Sequence, residues 1–361
     1  MLNLPLPFAC GVTLKNRAVL APLTNGQSPG GLLSEEEFQW LSARAHGGFG
    51  LVTSCATHVV KSGQGWDGQL GIYSDVQLPG WQKLSELGKQ TDSVLIPQLF
   101  HGGFRCPSHL TGVQPVSASA FEMESKDFEA PRALTDEEIE SLRLSFVQAA
   151  ERAIRSGLLG VEIHGANGYL FTQFLSSFTN QRSDRYGGKL ENRARFLLET
   201  VKAVRECIGP RKILGVRISP ENTKLIPGID MDEMLEVAAQ LSSLGVDYIS
   251  LSLWSARKTA EKYPKDPQTV IERFRRVIPS RTKLSVSGQI WTFEDAGRTF
   301  DLGADLVVVG AAAIANPDWP KLVQEKPQEL AKFPLTRSQF KERSVSERFV
   351  KYLERWNFVA D

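Results

Sequence analysis

The chain has 361 residues, a formal net charge of +1, 42% hydrophobic residues and 23% charged ones. That length suits one large barrel as well as two ordinary domains, and the near-neutral balance gives no reason to expect nucleic acid or an anionic membrane as partner. No stretch reaches the apolar length that spans a bilayer, the first eight residues lack the basic start and apolar run of a signal peptide, and the four cysteines, Cys10, Cys55, Cys106 and Cys207, are scattered without a Cys-x-x-Cys pair. A zinc, iron–sulfur or disulfide framework is therefore not expected. The expectation is a cytoplasmic enzyme with reduced thiols acting on a small molecule, as a monomer or a homodimer.

In chain order, the first run rich in β-branched residues is 17–23, a predicted strand. A helix is predicted over 34–47, where Ser34 precedes Glu35–Glu37, a serine cap followed by acids that suit the helix dipole. Strand 50–56 and helix 79–90 follow, then strand 94–100. Residues 102–131 read as a long irregular loop, of the size usual for a lid or binding loop. Thr135-Asp-Glu-Glu138 is a capping box that opens a helix over 135–156, with Ile139, Leu142, Phe146, Ala149, Ala150 and Ile154 at helical spacing. Strands 160–164, 213–219, 248–253, 283–288 and 305–310 then alternate with helices 191–207, 231–244, 267–278 and 293–302. An extra helix over 317–324 leads to a C-terminal helical stretch near 338–356. Its apolar end, Trp356-Asn-Phe-Val359, suits covering either a partner or its own barrel.

Eight strands alternating with helices predict an α/β fold, a (β/α)8 TIM barrel forming one domain over 1–361. The rival is an open doubly wound sheet, which concentrates its site at one switch point. Here Thr24, Gln98, His164, Arg217, Ser287 and Gly310 fall at the C-terminal ends of different strands, and only a barrel brings all those ends to one pocket.

Gly63-Gln-Gly65-Trp-Asp-Gly68 matches the dinucleotide pattern G-x-G-x-x-G. It lies past its strand and runs into loop rather than opening a helix, so it reads as a Gly-rich loop. Any NADH or NADPH then has to enter the substrate's own pocket. His164 ends an apolar strand, with Asn167 and Tyr169 close behind. His and Asn both donate hydrogen bonds and together polarise a carbonyl oxygen; a Tyr hydroxyl delivers a proton. Spacing alone leaves this reading level with a structural one.

The run His164-Gly-Ala-Asn-Gly-Tyr-Leu-Phe-Thr-Gln-Phe-Leu175, continuing to Asn180-Gln-Arg-Ser-Asp-Arg-Tyr-Gly-Gly188 and Glu191-Asn-Arg193, resembles the Old Yellow Enzyme family of FMN-dependent ene-reductases. The resemblance extends from Ala21-Pro-Leu-Thr24 to Asn316-Pro-Asp-Trp319. It implies FMN as cofactor, NADPH or NADH as reductant and an enone-type substrate. His164 and Asn167 would bind the substrate carbonyl and Tyr169 would protonate the α-carbon, the alternative for Tyr169 being a packing aromatic. Pro22 and Thr24 match the flavin-contacting turn, Ala56 a small residue beside the ring, and Gln98 the amide that reads the pyrimidine edge. Arg217 matches the cation near N1 and O2, or else pairs with Glu162. Ser287, Gly288, Gly310 and Ala311 match the phosphate site. Ala311 departs from the family pattern, which often has Arg there, so backbone donors carry more of the phosphate and weaker FMN binding is expected. Asn25-Gly26 stands where several relatives place an aromatic, which implies a roomier or more polar pocket. His101-Gly-Gly-Phe-Arg105 resembles a loop of part of the family; a pocket-rim role and a structural turn are both open. Trp66 and Trp254 line the pocket or pack at the surface. The rival functions are another FMN barrel, such as a 2-hydroxy acid oxidase or dihydroorotate-type dehydrogenase, and a catalytically degenerate flavin-binding protein. Larger relatives relay electrons through an iron–sulfur cluster and further domains. The scattered cysteines and the length of this chain favour direct hydride transfer instead.

Overall fold

Short aliphatic runs separated by capped amphipathic stretches form parallel strands with helices outside them. The computed structural model describes residues 1–124, 128–222 and 226–360. Its strands are β1 (Ala18–Leu20), β2 (Leu51–His58), β3 (Val94–Phe100), β4 (Gly160–Gly165), β5 (Ile213–Ile218), β6 (Tyr248–Leu251), β7 (Lys283–Ser287) and β8 (Leu306–Val309). Each pairs in parallel with the next, and β8 pairs with β1, so the sheet closes into the predicted barrel.

Alternate residues point into the barrel. At the N-terminal ends Val19, Leu51, Val94, Ile96, Ile213, Tyr248 and Leu306 form one buried cluster. Leu6, Phe8 and Leu14, from an antiparallel pair joining Leu6–Pro7 to Thr13–Leu14, plug it from below. Gly215 is paired with Tyr248, and a Cβ there would stand 2.1 Å from the Tyr248 ring. The missing side chain is what admits the phenol to the interior. Outward residues such as Val161, Ile163, Val216 and Val307 join the larger core under the helices.

The helices that pack there are α1 (Glu35–His46), α2 (Leu78–Thr91) and α3 (Asp136–Arg155), then, beyond the short α4 (Leu170–Leu175), α5 (Arg195–Ile208), α6 (Met231–Ser243), α7 (Val270–Val277) and α8 (Phe293–Asp301). Ser34 and the Thr135–Glu138 box cap α1 and α3 as expected. Helix α7 starts at 270 rather than 267, because Thr269 is its cap and Glu272 closes the box. The helix expected over 191–207 is divided into a turn, Leu190–Arg193, and α5.

The C-terminal part is more broken than expected. Helix α9 (Ala311–Ala315) precedes α10 (Trp319–Glu325), and the stretch near 338–356 holds two helices, α11 (Arg337–Glu342) and α12 (Glu347–Leu353), each with its own cap at Thr336 and Ser346. The terminal apolar segment covers its own chain: Leu335 N–H donates to Phe358 O at 2.9 Å, and the Phe333 and Phe358 rings stack 3.9 Å apart. The long loop after β3 is partly ordered by a turn at Gly103–Arg105 and by Val116–Ser117 pairing with Arg132–Ala133; its residues 125–127 lie outside the described residues. No α-helix follows Gly63–Gly68 until α2. Gly68, at φ +68°, lets that loop lie on the one after β1, since a Cβ would stand 2.0 Å from Gly26 O. No helix among the described residues is long and apolar enough to cross a membrane.

Candidate active site

Register sets which side chains share one level of the barrel mouth. Ala56 is paired with Gln98, Gln98 with Glu162, and His164 with Arg217. Strand β2 reaches this level through an irregularity between Thr53 and Ala56, and it runs on to His58 rather than ending at 56. The Ser54 and Thr57 hydroxyls both donate to Cys55 O at 2.8 Å, bonding a carbonyl next to the irregularity.

Below the mouth, Glu162 accepts from Gln98 Nε2 at 2.6 Å and from the Tyr248 hydroxyl at 2.8 Å. Burial pushes its carboxyl up, and the nearby Arg217 charge opposes this. The alternative reading of Arg217, an ion pair with Glu162, is not met: among the described residues no ion pair joins the two. Arg217 instead donates to Ser252 Oγ at 2.9 Å, while its buried Nε has no partner. An unmatched buried donor on a cation marks a place for an anionic or carbonyl acceptor.

His164 is buried, and its Nδ1 accepts the Ala166 N–H at 3.2 Å. That bond assigns the ring proton to Nε2. Burial, with Arg217 and Arg105 nearby, holds the imidazole well below its usual pKa, so it is neutral. Asn167 adopts the left-handed conformation, φ +60°, which Asn tolerates better than most residues. Its N–H donates to Ser219 Oγ at 2.8 Å, its carbonyl accepts from Arg105 at 2.9 Å, and its Oδ1 accepts from Ser252 Oγ at 2.9 Å. With Oδ1 used, the side chain offers its Nδ2 donor. Tyr169 caps α4; its ring lies 5.0 Å from that of His164 and 4.5 Å from that of Phe100. Burial raises the phenol above its usual pKa, with Arg105 opposing, so it is protonated at neutral pH.

Trp66 belongs to this group. Its ring packs edge-on against Phe100 at 5.4 Å. Trp254 is largely exposed yet lines a cavity of about 350 Å³ together with Asn167, Arg217, Ser219, Ser252 and Lys258. Of the two tryptophans, Trp254 lines this cavity, whereas Trp66 packs on Phe100.

Pro22 and Thr24 follow β1, and behind them Asn25 and Gln27 donate to the buried carboxylate of Glu37 at 2.6 and 2.9 Å. Asn25 is thus turned away into the protein rather than toward a pocket. Ala56 is nearly buried, and its carbonyl accepts from Gln69. On the far side, Ser287 Oγ donates to Leu251 O at 3.1 Å and accepts the Leu253 N–H, so this hydroxyl ties down the loop after β6. Gly288, at φ +141°, lies against Ala256, whose N a Cβ would meet at 2.5 Å. Gly310 precedes α9, whose first residue is Ala311. Among the described residues no hydrogen bond joins this group to His164, Asn167 or Tyr169.

Sequence reading missed Ser219 and Ser252, and it left Arg105 open. Ser219 stands two residues after Arg217, and Ser252 directly after β6, positions at the same mouth; neither carries a motif of its own.

The family described as NADH:flavin oxidoreductase / NADH oxidase matches residues 3–329. The probable NADH-dependent flavin oxidoreductase YqiG of Bacillus subtilis is 33% identical over 326 residues, covering 89% of this chain and 87% of that protein. The NADH:fumarate oxidoreductase of Klebsiella pneumoniae is 35% identical over 87% of this chain, which spans only 35% of its length. Among solved structures, the Old Yellow Enzyme homologue from Zymomonas mobilis superposes with a TM-score of 0.81 at 31% identity, covering 94% of this chain and 96% of that one. Morphinone reductase in complex with tetrahydroNAD gives 0.82 at 30% identity, covering 94% and 93%. With its closed barrel and these matches, the chain belongs to the NADH:flavin oxidoreductase / NADH oxidase family, the FMN-dependent Old Yellow Enzyme oxidoreductases.

Proposed function

We propose that the protein is an ene-reductase in which NADH or NADPH and an α,β-unsaturated carbonyl compound use one pocket in turn. The observation that carries this reading is the pair of donors left free. His164 is held by a bond to Nδ1 and Asn167 by a bond to Oδ1, which leaves Nε2–H and Nδ2–H as the donors each side chain has to offer. Two such donors stabilise the oxygen of an enolate-like transition state, where charge develops. They also withdraw electron density from the β-carbon. FMN bound beside this pair would supply the hydride chemistry for that carbon.

The residues present fit FMN. Arg217 brings a fixed cation with an unmatched buried Nε, suited to the charge of reduced flavin. The turn at Pro22 and Thr24, with Ala56, Gln98 and Arg217, would hold the ring. Ser287, Gly288, Gly310 and Ala311 would hold the phosphate through backbone amides. Tyr169 stays protonated and gives its proton to the α-carbon: the O–H bond breaks, a C–H bond forms, and water restores the phenol. The neutral His164 acts as a hydrogen-bond donor, not as an acid.

The test is the visible spectrum of the purified protein. A flavin band that bleaches with NADH or NADPH and returns with cyclohexenone is expected. A colourless protein that FMN does not reconstitute would favour a degenerate barrel, and a bleached flavin that returns with oxygen but not with an enone would sink the carbonyl reading.

A further inference from the structure

Arg105 stands 62 residues before Asn167 in sequence and reaches it by one hydrogen bond, Nη1 to Asn167 O at 2.9 Å. Its guanidinium carbon also lies 4.3 Å from the centroid of the Tyr169 ring. One side chain therefore holds both the carbonyl donor's backbone and the face of the phenol. The turn it grips is left-handed at Asn167 and is fixed from the other side by Ser219. The Tyr169 peptide is anchored as well, its N–H donating to Ala166 O at 3.3 Å. Among the described residues Arg105 is the one cation over the phenol face.

We propose that Arg105 is the positioning residue for proton delivery: by clamping the Asn167 carbonyl and the Tyr169 ring together, it fixes where the phenol hydroxyl points relative to the bound carbonyl. The inference rests on the reading of Tyr169 as proton donor and adds the group that aims it. A cation over an aromatic face also favours the tyrosinate left when the proton departs. Arg105 therefore does two jobs, orientation through its hydrogen bond and acid strength through its charge. Among the described residues, the ionisable groups around Tyr169 are Arg105 and Cys106 from the loop after β3, His164 from β4, Arg217 from β5 and Tyr352 from α12. Of these only Arg105 lies over the ring. Arg217 is tied to Ser252, and Cys106 is itself held protonated by burial, which pushes its thiol up to about 12.

The experiment uses FMN-loaded enzyme reduced in advance and mixed with cyclohexenone in single turnover between pH 7 and 11, for wild type, R105A, R105K and Y169F. Proton delivery fails as pH rises through the Tyr169 pKa. Without the cation that pKa rises, so in R105A the alkaline decline should move to higher pH, leaving the rate flat up to about pH 11, and the rate at pH 8 should fall about tenfold. R105K keeps a charge near the ring without the planar fork. Its limb should stay near the wild-type position while its rate remains reduced, separating charge from orientation. An R105A limb that does not move, with Y169F impaired, overturns the inference and leaves Tyr169 as donor. Y169F as fast as wild type overturns the reading of Tyr169 and the inference with it. Should R105A fail to hold FMN, R105K alone decides: a limb displaced to higher pH out of the measured window would overturn the role assigned to charge.

Discussion

At the barrel mouth over β4, β5 and β6, side chains hold side chains. Arg217 donates to Ser252, Ser252 to Asn167, and Asn167 is gripped at its carbonyl by Arg105. Over β7, β8 and β1 the corresponding positions are Ser287, Gly288, Gly310 and Ala311, where the one hydroxyl is spent on the loop after β6 and the rest is backbone. On the proposed function the first side would place individual donors around one reacting carbonyl, where a displacement of about 1 Å is felt strongly in rate. The second, on the same proposal, would present amides to a phosphate, which needs close approach rather than side-chain chemistry. Precision is built from long-range hydrogen bonds on the one side and from small residues on the other.

The largest expected effect breaks the first side. Asn167→Ala removes the free donor and should lower the rate of enone reduction about 10²-fold or more, the scale of a single lost oxyanion donor. Single-turnover reoxidation by cyclohexenone measures it, and a loss below threefold would mean that His164 alone carries the carbonyl.

The next tests the support of the second side. Glu37 lies wholly buried under Asn25 and Gln27, near Arg44 and Cys55, and burial raises its carboxyl to about 7. The native state then prefers the protonated form. Its contribution to stability is complete below the ordinary carboxyl value near 4.5 and is lost as pH rises through about 7, a span of about 3 kcal/mol. Across that window the melting temperature of the wild type should fall relative to that of Glu37→Gln, the titration of the buried histidines being common to both proteins. Parallel curves for the two proteins would show that Glu37 is ionised throughout.

The smallest effect sharpens the comparison. Ala311→Arg adds a side-chain donor where only amides stand, and it should tighten FMN about tenfold without changing riboflavin binding, since a hydrogen bond to a charged group contributes about 1.5–3 kcal/mol before the cost of ordering the side chain. Fluorescence titration of the apoprotein with each flavin checks it. Equal tightening of both would mean that the new arginine does not read the phosphate.

Much of the site was legible because it sits at strand ends whose register is fixed by alternation. Once β4 and β5 are placed, His164 and Arg217 must face one another at the mouth. The caps at Ser34 and Thr135 were legible for a similar reason, since they depend on residues three apart. Helix α7 was placed three residues early because Pro267 is an equally good local start and only the Thr269–Glu272 bonds decide between them. Asn25 gave the opposite difficulty. Its place suggested an open, polar pocket, while its partner Glu37 lies on another element and draws it inward.

The sequence by itself determined the alternation of strands and helices and the closure it implies, because these rest on local periodicity; it offered the His164–Asn167–Tyr169 set through a family resemblance, since spacing alone left a structural reading level with it. Only the tertiary structure decided which atoms of that set are free to act. Ser219, Ser252 and Arg105 lie 52, 85 and 62 residues from Asn167, and each uses up one of its hydrogen-bonding groups. A donor's direction is fixed by what its other atoms bond to, and here those partners are brought in by barrel closure.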